Sequence, residues 1–289
     1  MTKENFDPNN IKALALDLDG TLLMPDKSVT DRTLRILRLC MEKGIHVIIA
    51  TGRSVSSGEK YKKMIGASGP HVYYNGAEVI DMSAGKLIFA KYVNPEPILF
   101  CARLAKQYGI YFQAFFADGN NDTFSGKEPG LGEILMTERI TEETEQYIKS
   151  SGIKVTVGDF EKQSQKTPAI IKAMFITPEE NHEKLRLPLK ERFGESLYIV
   201  QTTPVFLEVM ACGVSKGAGL IHALEYLDIK PGQTIAFGDE ENDLSMMEIA
   251  GFSAAPANAK ANVRKAAMFQ IPADTEDGVA VFLEEHFGD

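Results

Sequence analysis

The chain has 289 residues, 44% hydrophobic and 25% charged, the balance of an ordinary globular protein long enough for one large or two moderate domains. Its 31 basic and 40 acidic side chains leave a net charge of −9; this excludes the basic footprint of a nucleic-acid binder, and any phosphate site must be built from local positive charge, which is felt within a screening length of about 8 Å at physiological salt. No apolar run approaches the roughly 18 residues of a membrane span, residues 1–10 lack an apolar signal core, and Cys40, Cys101 and Cys212 are odd in number and far apart, so they read as buried thiols of a reducing, cytoplasmic compartment.

In chain order, the apolar run 13–16 predicts a buried strand ending at Asp17. Residues 30–43 place Leu34, Leu37 and Met41 on one helical face, with Thr30 suited to cap the start and Gly44 the end. A second buried strand, 46–50, ends at Thr51-Gly52-Arg53; a helix follows to about Gly66, and a third strand, 71–74, precedes the turn Asn75-Gly76. Strands joined by helices imply a parallel sheet, in which ligands bind outside the carboxyl ends of the strands.

The middle of the chain has another texture. Strands are expected at 87–92, 110–116, 170–176, 197–201 and 206–210, and helices at 96–108, 142–151 and 179–193. The turn Asp118-Gly119-Asn120-Asn121 separates elements there, and the link Thr202-Thr203-Pro204 joins a hairpin. This is an α+β unit inserted over 84–210, between core segments 1–83 and 211–289. After it the first texture resumes: a helix at 215–227, a buried strand at 234–237 ending in Gly238-Asp239, a helix at 241–250, a strand at 252–255, a helix, and a strand at 268–271. The fold class is α/β, a doubly wound Rossmann-like parallel sheet with an inserted α+β cap.

Asp17 and Asp19 flank a strand tip, and Gly20 lets the chain curl so that both carboxylates face one pocket. Two such carboxylates favour a bound cation or a shared proton, and hard oxygen ligands suit Mg²⁺. A polar loop with an Asp-Gly turn would read the same way on its own. Asp239 ends a second apolar strand and can converge on the same cation, with Asp243 four residues later. An acidic helix start accounts for Glu240 and Glu241. Thr51 and Gly52 offer a hydroxyl and amides for an anion. Lys216 opens a helix, where the dipole disfavours a lysine unless an anion neutralises it. Phosphomonoester hydrolysis, with accelerations up to ~10²¹, needs more than the ~10²–10⁴ of acid–base help, and these groups supply metal, positioning and a nucleophile.

Together these residues resemble the haloacid dehalogenase superfamily, and within it the Cof-type phosphatases with a large cap. Its four motifs appear in order as Asp17-Leu18-Asp19-Gly20-Thr21, Ala50-Thr51-Gly52-Arg53, Lys216 in Val214-Ser215-Lys216-Gly217, and Gly238-Asp239-Glu240-Glu241-Asn242-Asp243. Asn75-Gly76-Ala77, Asn258-Ala259 and Asp277-Gly278-Val279 are also similar to the family. The resemblance implies Asp17 as covalent nucleophile and Asp19 as acid and base. It implies Mg²⁺ held by Asp17, the Asp19 backbone carbonyl and Asp239, with Asp243 in support. Thr51, Gly52, Lys216 and Asn242 are implied to hold the phosphoryl group, with Arg53 and Leu18 as further substrate contacts. The implied substrate is a small phosphorylated metabolite, often a sugar phosphate, and the chain is expected to be a monomer or weak homodimer without nucleic-acid or membrane partners. A phosphomutase of the phosphomannomutase type shares the chemistry of Asp17. A phospho-ligand sensor on the same fold is expected to lack Asp17, Asp19 or Lys216, and all are present.

Overall fold

The computed structural model describes residues 3–117 and 133–288. The chain falls into two compact units. The first comprises Met1–Arg53, Gly58–Phe89 and Ser215–Asp289, and the second Ser54–Ser57 and Ala90–Val214.

The first unit begins with β1 (Ala13–Leu16), α1 (Asp31–Glu42), β2 (His46–Ile49), α2 (Val55–Ile65), β3 (Pro70–Tyr73), β4 (Glu78–Asp81) and β5 (Lys86–Ala90). The second unit holds α3 (Pro95–Tyr108), β6 (Tyr111–Ala117), β7 (Glu133–Thr137), α4 (Glu142–Ser151), β8 (Val155–Val157), α5 (Phe160–Lys166), β9 (Ile170–Ile176), α6 (His182–Phe193), β10 (Leu197–Thr203) and β11 (Phe206–Ala211). The chain then returns to the first unit with α7 (Lys216–Leu227), β12 (Thr234–Phe237), α8 (Leu244–Ile249), β13 (Phe252–Pro256), α9 (Ala261–Ala266), β14 (Phe269–Ile271) and α10 (Gly278–Phe287).

A five-stranded parallel sheet in the order β14-β13-β12-β1-β2 forms the centre of the first unit. Its central strands β1, β2 and β12 are apolar apart from His46 and Thr234 at their starts, because both faces are covered. Leu14, Leu16, Val47, Ile49, Ile235 and Phe237 pack on one side against α1 and α10 residues such as Leu37 and Leu283. Ala13, Ala15, Ile48 and Ala236 pack on the other against Leu220, Leu224 and Met246. From β1 the chain winds outward to β2 on one side, and from β12 to β13 and β14 on the other. The order therefore reverses between β1 and β12, and a crevice opens beyond their carboxyl ends.

Several expectations are corrected. Residues 70–73 do not extend the parallel sheet. They join β4 and β5 in a separate three-stranded sheet, antiparallel to β4 and tied to the main sheet by a single bridge between Ala50 and Val72. The chain turns back at Tyr74, Asn75 and Gly76, whose φ values of 50°, 56° and 97° rule out continuation as a strand. The compact units divide at 89/90 and 214/215, with Ser54–Ser57 also in the second unit, beside the 83/84 and 210/211 expected for the cap. The first division lies later because β5 pairs with β4, and the second because β11 runs on to Ala211, which pairs with Leu197. The hairpin link shortens to Pro204-Val205, since Thr203 still pairs with Phe206. Cys40 and Cys101 are buried as expected, but Cys212 is exposed.

In the second unit the sheet order is β10-β11-β9-β6-β7-β8, antiparallel except for the β7–β8 pair. Phe112, Phe160 and Phe175 cluster on one face, with ring centroids 5.3 and 4.9 Å apart about Phe112. The other face carries a buried ion pair, Lys172 to Glu208 at 2.7 Å. The Asp118-Gly119-Asn120-Asn121 turn lies outside the described residues. Among those residues no helix is long and apolar enough to cross a membrane.

Candidate active site

The site grows out of the β1–β12 pair. The strands run in register from Ala13 against Thr234 to Leu16 against Phe237, and the Asp17 amide donates to the Phe237 carbonyl at 3.0 Å. The ladder ends there, which places Asp17 at the tip of β1 and Gly238-Asp239 at the tip of β12. Gly20, at φ +81°, turns the first loop back, and a Cβ on it would lie 2.3 Å from Asp239 Oδ2. Only glycine fits both the dihedral and that approach. The neighbouring Thr21 hydroxyl donates to Asp239 Oδ1 at 2.6 Å.

Asp17, Asp239 and Asp243 are all buried, and each offers an oxygen within 4.8 Å of the others. The second loop is held by Asp243, whose Oδ2 accepts the amides of Asp239 and Glu240, both at 2.9 Å. That is a short turn closed by its own carboxylate. Lys216 lies between the loops. Ser215 caps α7 by accepting the Ala218 amide at 3.1 Å, so Lys216 occupies the first helical position. Its Nζ donates to Asp17 Oδ1 at 2.6 Å and to Asp243 Oδ1 at 2.7 Å, with the side chain 2% exposed.

The electrostatics of this cluster are unbalanced. Burial opposes the Lys216 charge, but Asp17 and Asp243 outweigh it and keep the ammonium protonated. Burial raises the Asp17 carboxyl well above its ordinary range; Lys216 pulls it down, and the charges of Asp243 and Asp239 push it up again. Asp239 is pushed up to about 7, chiefly by burial, with the Thr21 bond opposing. Three buried carboxylates against one ammonium are two positive charges short when all are ionised, and the raised Asp17 and Asp239 carboxyls meet that deficit with protons that a cation would replace. An all-oxygen donor set with that deficit fits a hard divalent cation.

Asp19 sits at the edge of the same crevice. Arg53 donates through Nε to Oδ2 at 2.6 Å and through Nη2 to Oδ1 at 2.7 Å. Lys27 adds a bond to Oδ1 at 2.8 Å. Burial alone would raise this carboxyl; Arg53 first and Lys27 second outweigh it and hold it at about 2.

Thr51 and Gly52 follow β2. The Thr51 hydroxyl accepts the Arg53 amide at 3.1 Å, and its own amide donates to the Val72 carbonyl at 2.9 Å. A Cβ on Gly52 would approach Asn75 Oδ1 to 2.9 Å. Asn75 is fully buried and accepts from Asn242 Nδ2 at 2.9 Å. Asn242 Oδ1 is buried without a protein partner. Leu18 has its side chain wholly in the core, so only its backbone can serve a ligand.

Asp17, Asp239, Asp243 and Lys216 thus form one buried cluster, Asp19 and Arg53 pair beside it, and Thr51, Gly52 and Asn242 are linked through Asn75. Three contributors were not singled out as site residues from the sequence. Asn75 carried a signal, since Asn-Gly marks a left-handed turn, and that turn is what seats it against Asn242. Thr21 closes the first motif but was given no role there, and Lys27 carried no signal, because a lysine in a polar loop has no distinguishing pattern.

A family model described as haloacid dehalogenase-like hydrolase matches residues 14–283. Among relatives, a 5-amino-6-(5-phospho-D-ribitylamino)uracil phosphatase of Bacillus subtilis is 27% identical over 282 residues, covering 95% of this chain and 97% of its own. A haloacid dehalogenase-like hydrolase of Bacteroides thetaiotaomicron shares the fold, with a TM-score of 0.82 at 24% identity over 95% of this chain and 99% of its own. A HAD subclass IIB sugar phosphatase does so with a TM-score of 0.77 at 24% identity over 96% and 99% of the two chains.

Proposed function

The chain belongs to the haloacid dehalogenase-like hydrolases, and from that premise we propose that it is a magnesium-dependent phosphatase that hydrolyses small phosphomonoesters, sugar phosphates among them, through a phosphoryl-aspartate on Asp17. The observation that carries this reading is the Lys216 ammonium held between Asp17 Oδ1 and Asp243 Oδ1 at 2.6 and 2.7 Å, at the reversal point of a parallel sheet. A buried nucleophile paired with one cation, in a cluster two positive charges short when ionised, suits a dianionic phosphoryl group arriving with a divalent metal.

Asp17, the Asp19 carbonyl and Asp239 would hold Mg²⁺, with Asp243 fixing the loop behind them. When bound, the metal supplies charge neutralisation for the phosphoryl oxygens. An Asp17 oxygen attacks phosphorus, and the bond from phosphorus to the leaving oxygen breaks. Asp19, ionised in the free protein, takes up a proton from solvent as the arriving substrate displaces a cationic partner, and gives that proton to the leaving oxygen. Asp19, now a carboxylate, takes a proton from water as the water oxygen attacks the phosphoryl-aspartate; inorganic phosphate leaves and the Asp17 carboxylate returns. Thr51, the Gly52 amide, Lys216 and Asn242 hold the transferring group, with Leu18 contributing only backbone. Asn242 would meet phosphoryl oxygens only through Nδ2, which donates to Asn75 Oδ1 here; its buried and unpartnered Oδ1 can accept only from a donor such as a substrate hydroxyl.

Turnover of p-nitrophenyl phosphate with Mg²⁺ tests the reading. The wild type is expected to hydrolyse it and to stop on chelation. Asp17→Asn is expected to lose about 10⁴-fold or more, the scale of removing a covalent nucleophile. Unchanged turnover in that variant, or no turnover in the wild type, overturns the reading.

A further inference from the structure

We propose that Lys27 selects esters whose alcohol portion carries its own acidic group, by exchanging its ion pair with Asp19 for one with the substrate. This rests on the phosphatase reading above and concerns the substrate that site prefers.

Both oxygens of Asp19 are occupied by cationic donors. Arg53 takes Oδ2 through Nε and Oδ1 through Nη2, and Lys27 Nζ takes Oδ1 at 2.8 Å. Oδ1 accepts twice, from Arg53 and Lys27, so a leaving-group oxygen that engages Oδ1 displaces one of these donors, while Oδ2 keeps Arg53 Nε alone. Arg53 is the fixed one: it makes two bonds, lies over the Tyr61 ring at 5.0 Å and is 16% exposed. Lys27 makes one bond to Asp19 and is 52% exposed. A half-exposed single ion pair is cheaply exchanged.

The backbone of Lys27 points to function as well. Its φ is +67°, a left-handed conformation that side chains other than glycine and asparagine seldom adopt. The loop enforces it. The Lys27 amide donates to the Met24 carbonyl at 2.8 Å and the Met24 amide to the Ser28 carbonyl at 3.0 Å. Asp26 Oδ1 accepts both the Ser28 amide at 2.9 Å and the Ser28 hydroxyl at 2.6 Å. A turn of this shape ordinarily uses glycine or asparagine, and here it presents a lysine to the proposed acid–base carboxylate. Strain persists where the surroundings over-determine it and a contact depends on it.

The exchange also fixes the chemistry of the partner. Lys27 gives up a carboxylate, so an anion in its place keeps the ammonium paired, whereas a hydroxyl or alkyl group does not. In a chain of net charge −9 the extra anion has to be met locally. The fitting substrate therefore has a carboxylate or second phosphate within a few bonds of the ester oxygen.

The test compares phosphoglycolate with ethyl phosphate, near-isosteres differing in the acidic group. Each is measured with Mg²⁺ as a competitor of p-nitrophenyl phosphate turnover in the wild type, Lys27→Met and Lys27→Arg. The wild type is expected to bind phosphoglycolate about tenfold tighter, the size of one charge-assisted hydrogen bond. Lys27→Met is expected to bring the ratio close to one through loss at phosphoglycolate, and Lys27→Arg to keep it. A wild-type ratio of one or below, a ratio unchanged in Lys27→Met, or no competition by either ester overturns the proposal while p-nitrophenyl phosphate turnover upholds the phosphatase reading. Absence of that turnover in the wild type is instead the failure of the reading itself.

Discussion

Lys216 occupies the first position of a helix, where the positive end of the dipole works against an ammonium. Its two carboxylate partners at 2.6 and 2.7 Å more than compensate, and its placement is understood through them. The same interdependence makes Asp243 the residue whose loss should be felt most in stability. It accepts Lys216 and two backbone amides while fully buried. Asp243→Ala strands the Asp239 and Glu240 amides and leaves Lys216 with Asp17 alone; it is expected to cost about 3 kcal/mol, the scale of breaking a buried ion pair, read as a lowered urea midpoint. Gly20 supports the opposite prediction, a small change in stability with a large one in metal binding. Gly20→Ala forces a Cβ to within 2.3 Å of Asp239 Oδ2 at φ +81°. The dihedral alone costs about 1–2 kcal/mol. The displaced carboxylate is expected to raise the Mg²⁺ needed for half-maximal turnover by about tenfold, roughly one lost oxygen contact.

At the scale of elements, what could be read in advance follows from burial on both faces. Residues 13–16, 47–50 and 235–237 are apolar runs that lead into Asp17, Thr51 and Gly238-Asp239. Their character as strands and the residues at their tips were legible together. Elements of other kinds were not. β8 has only three residues, and β4 reads as the tail of a turn until the left-handed Asn75 reverses the chain. α10 is so apolar that its helical face does not stand out: Val279, Ala280, Phe282, Leu283 and Phe287 are all buried against β1, β12 and α1. The attachment of β3 was also hidden, because beside the Ala50–Val72 bridge it uses a side chain. His71 is fully buried, and its Nδ1 accepts the Ile49 amide at 3.1 Å at the edge of the parallel sheet. Burial holds this imidazole neutral, down at about 3. His71→Phe leaves the Ile49 amide unpaired and is expected to cost about 1–3 kcal/mol, read by chemical denaturation.

The whole molecule is acidic, and its proposed site concentrates that property where it is hardest to tolerate. The consequence is a link between pH, metal and stability. The Asp239 carboxyl rises from an ordinary 3.8 to about 7 in the folded chain. Between those values the folded state binds more protons than the unfolded one, so stability from this group falls as pH rises through that window. A divalent cation removes the need for the proton. The gain in melting temperature on adding Mg²⁺ to the metal-free protein is therefore expected to grow from pH 5 to pH 8, and a gain that stays flat contradicts the charge deficit at the cluster. Asp19 works in the other direction. Held at about 2, it contributes stability above the unfolded carboxyl range that is lost only as the pH falls below about 4. Asp239 and Asp19 are thus driven apart in protonation by their surroundings, the first by burial and the second by Arg53 and Lys27.

Everything proposed for this site turns on a covalent bond between Asp17 and phosphorus, and trapping that bond is the direct measurement. Enzyme turning over p-nitrophenyl phosphate with Mg²⁺ is quenched in acid, digested and weighed by mass spectrometry. The account predicts the added mass of one phosphoryl group on the peptide containing Asp17, labile to hydroxylamine as an acyl phosphate is, and absent from Asp17→Asn. Rapid-quench samples in which product appears while that peptide stays unmodified, or in which the phosphoryl group sits on another residue, would contradict it.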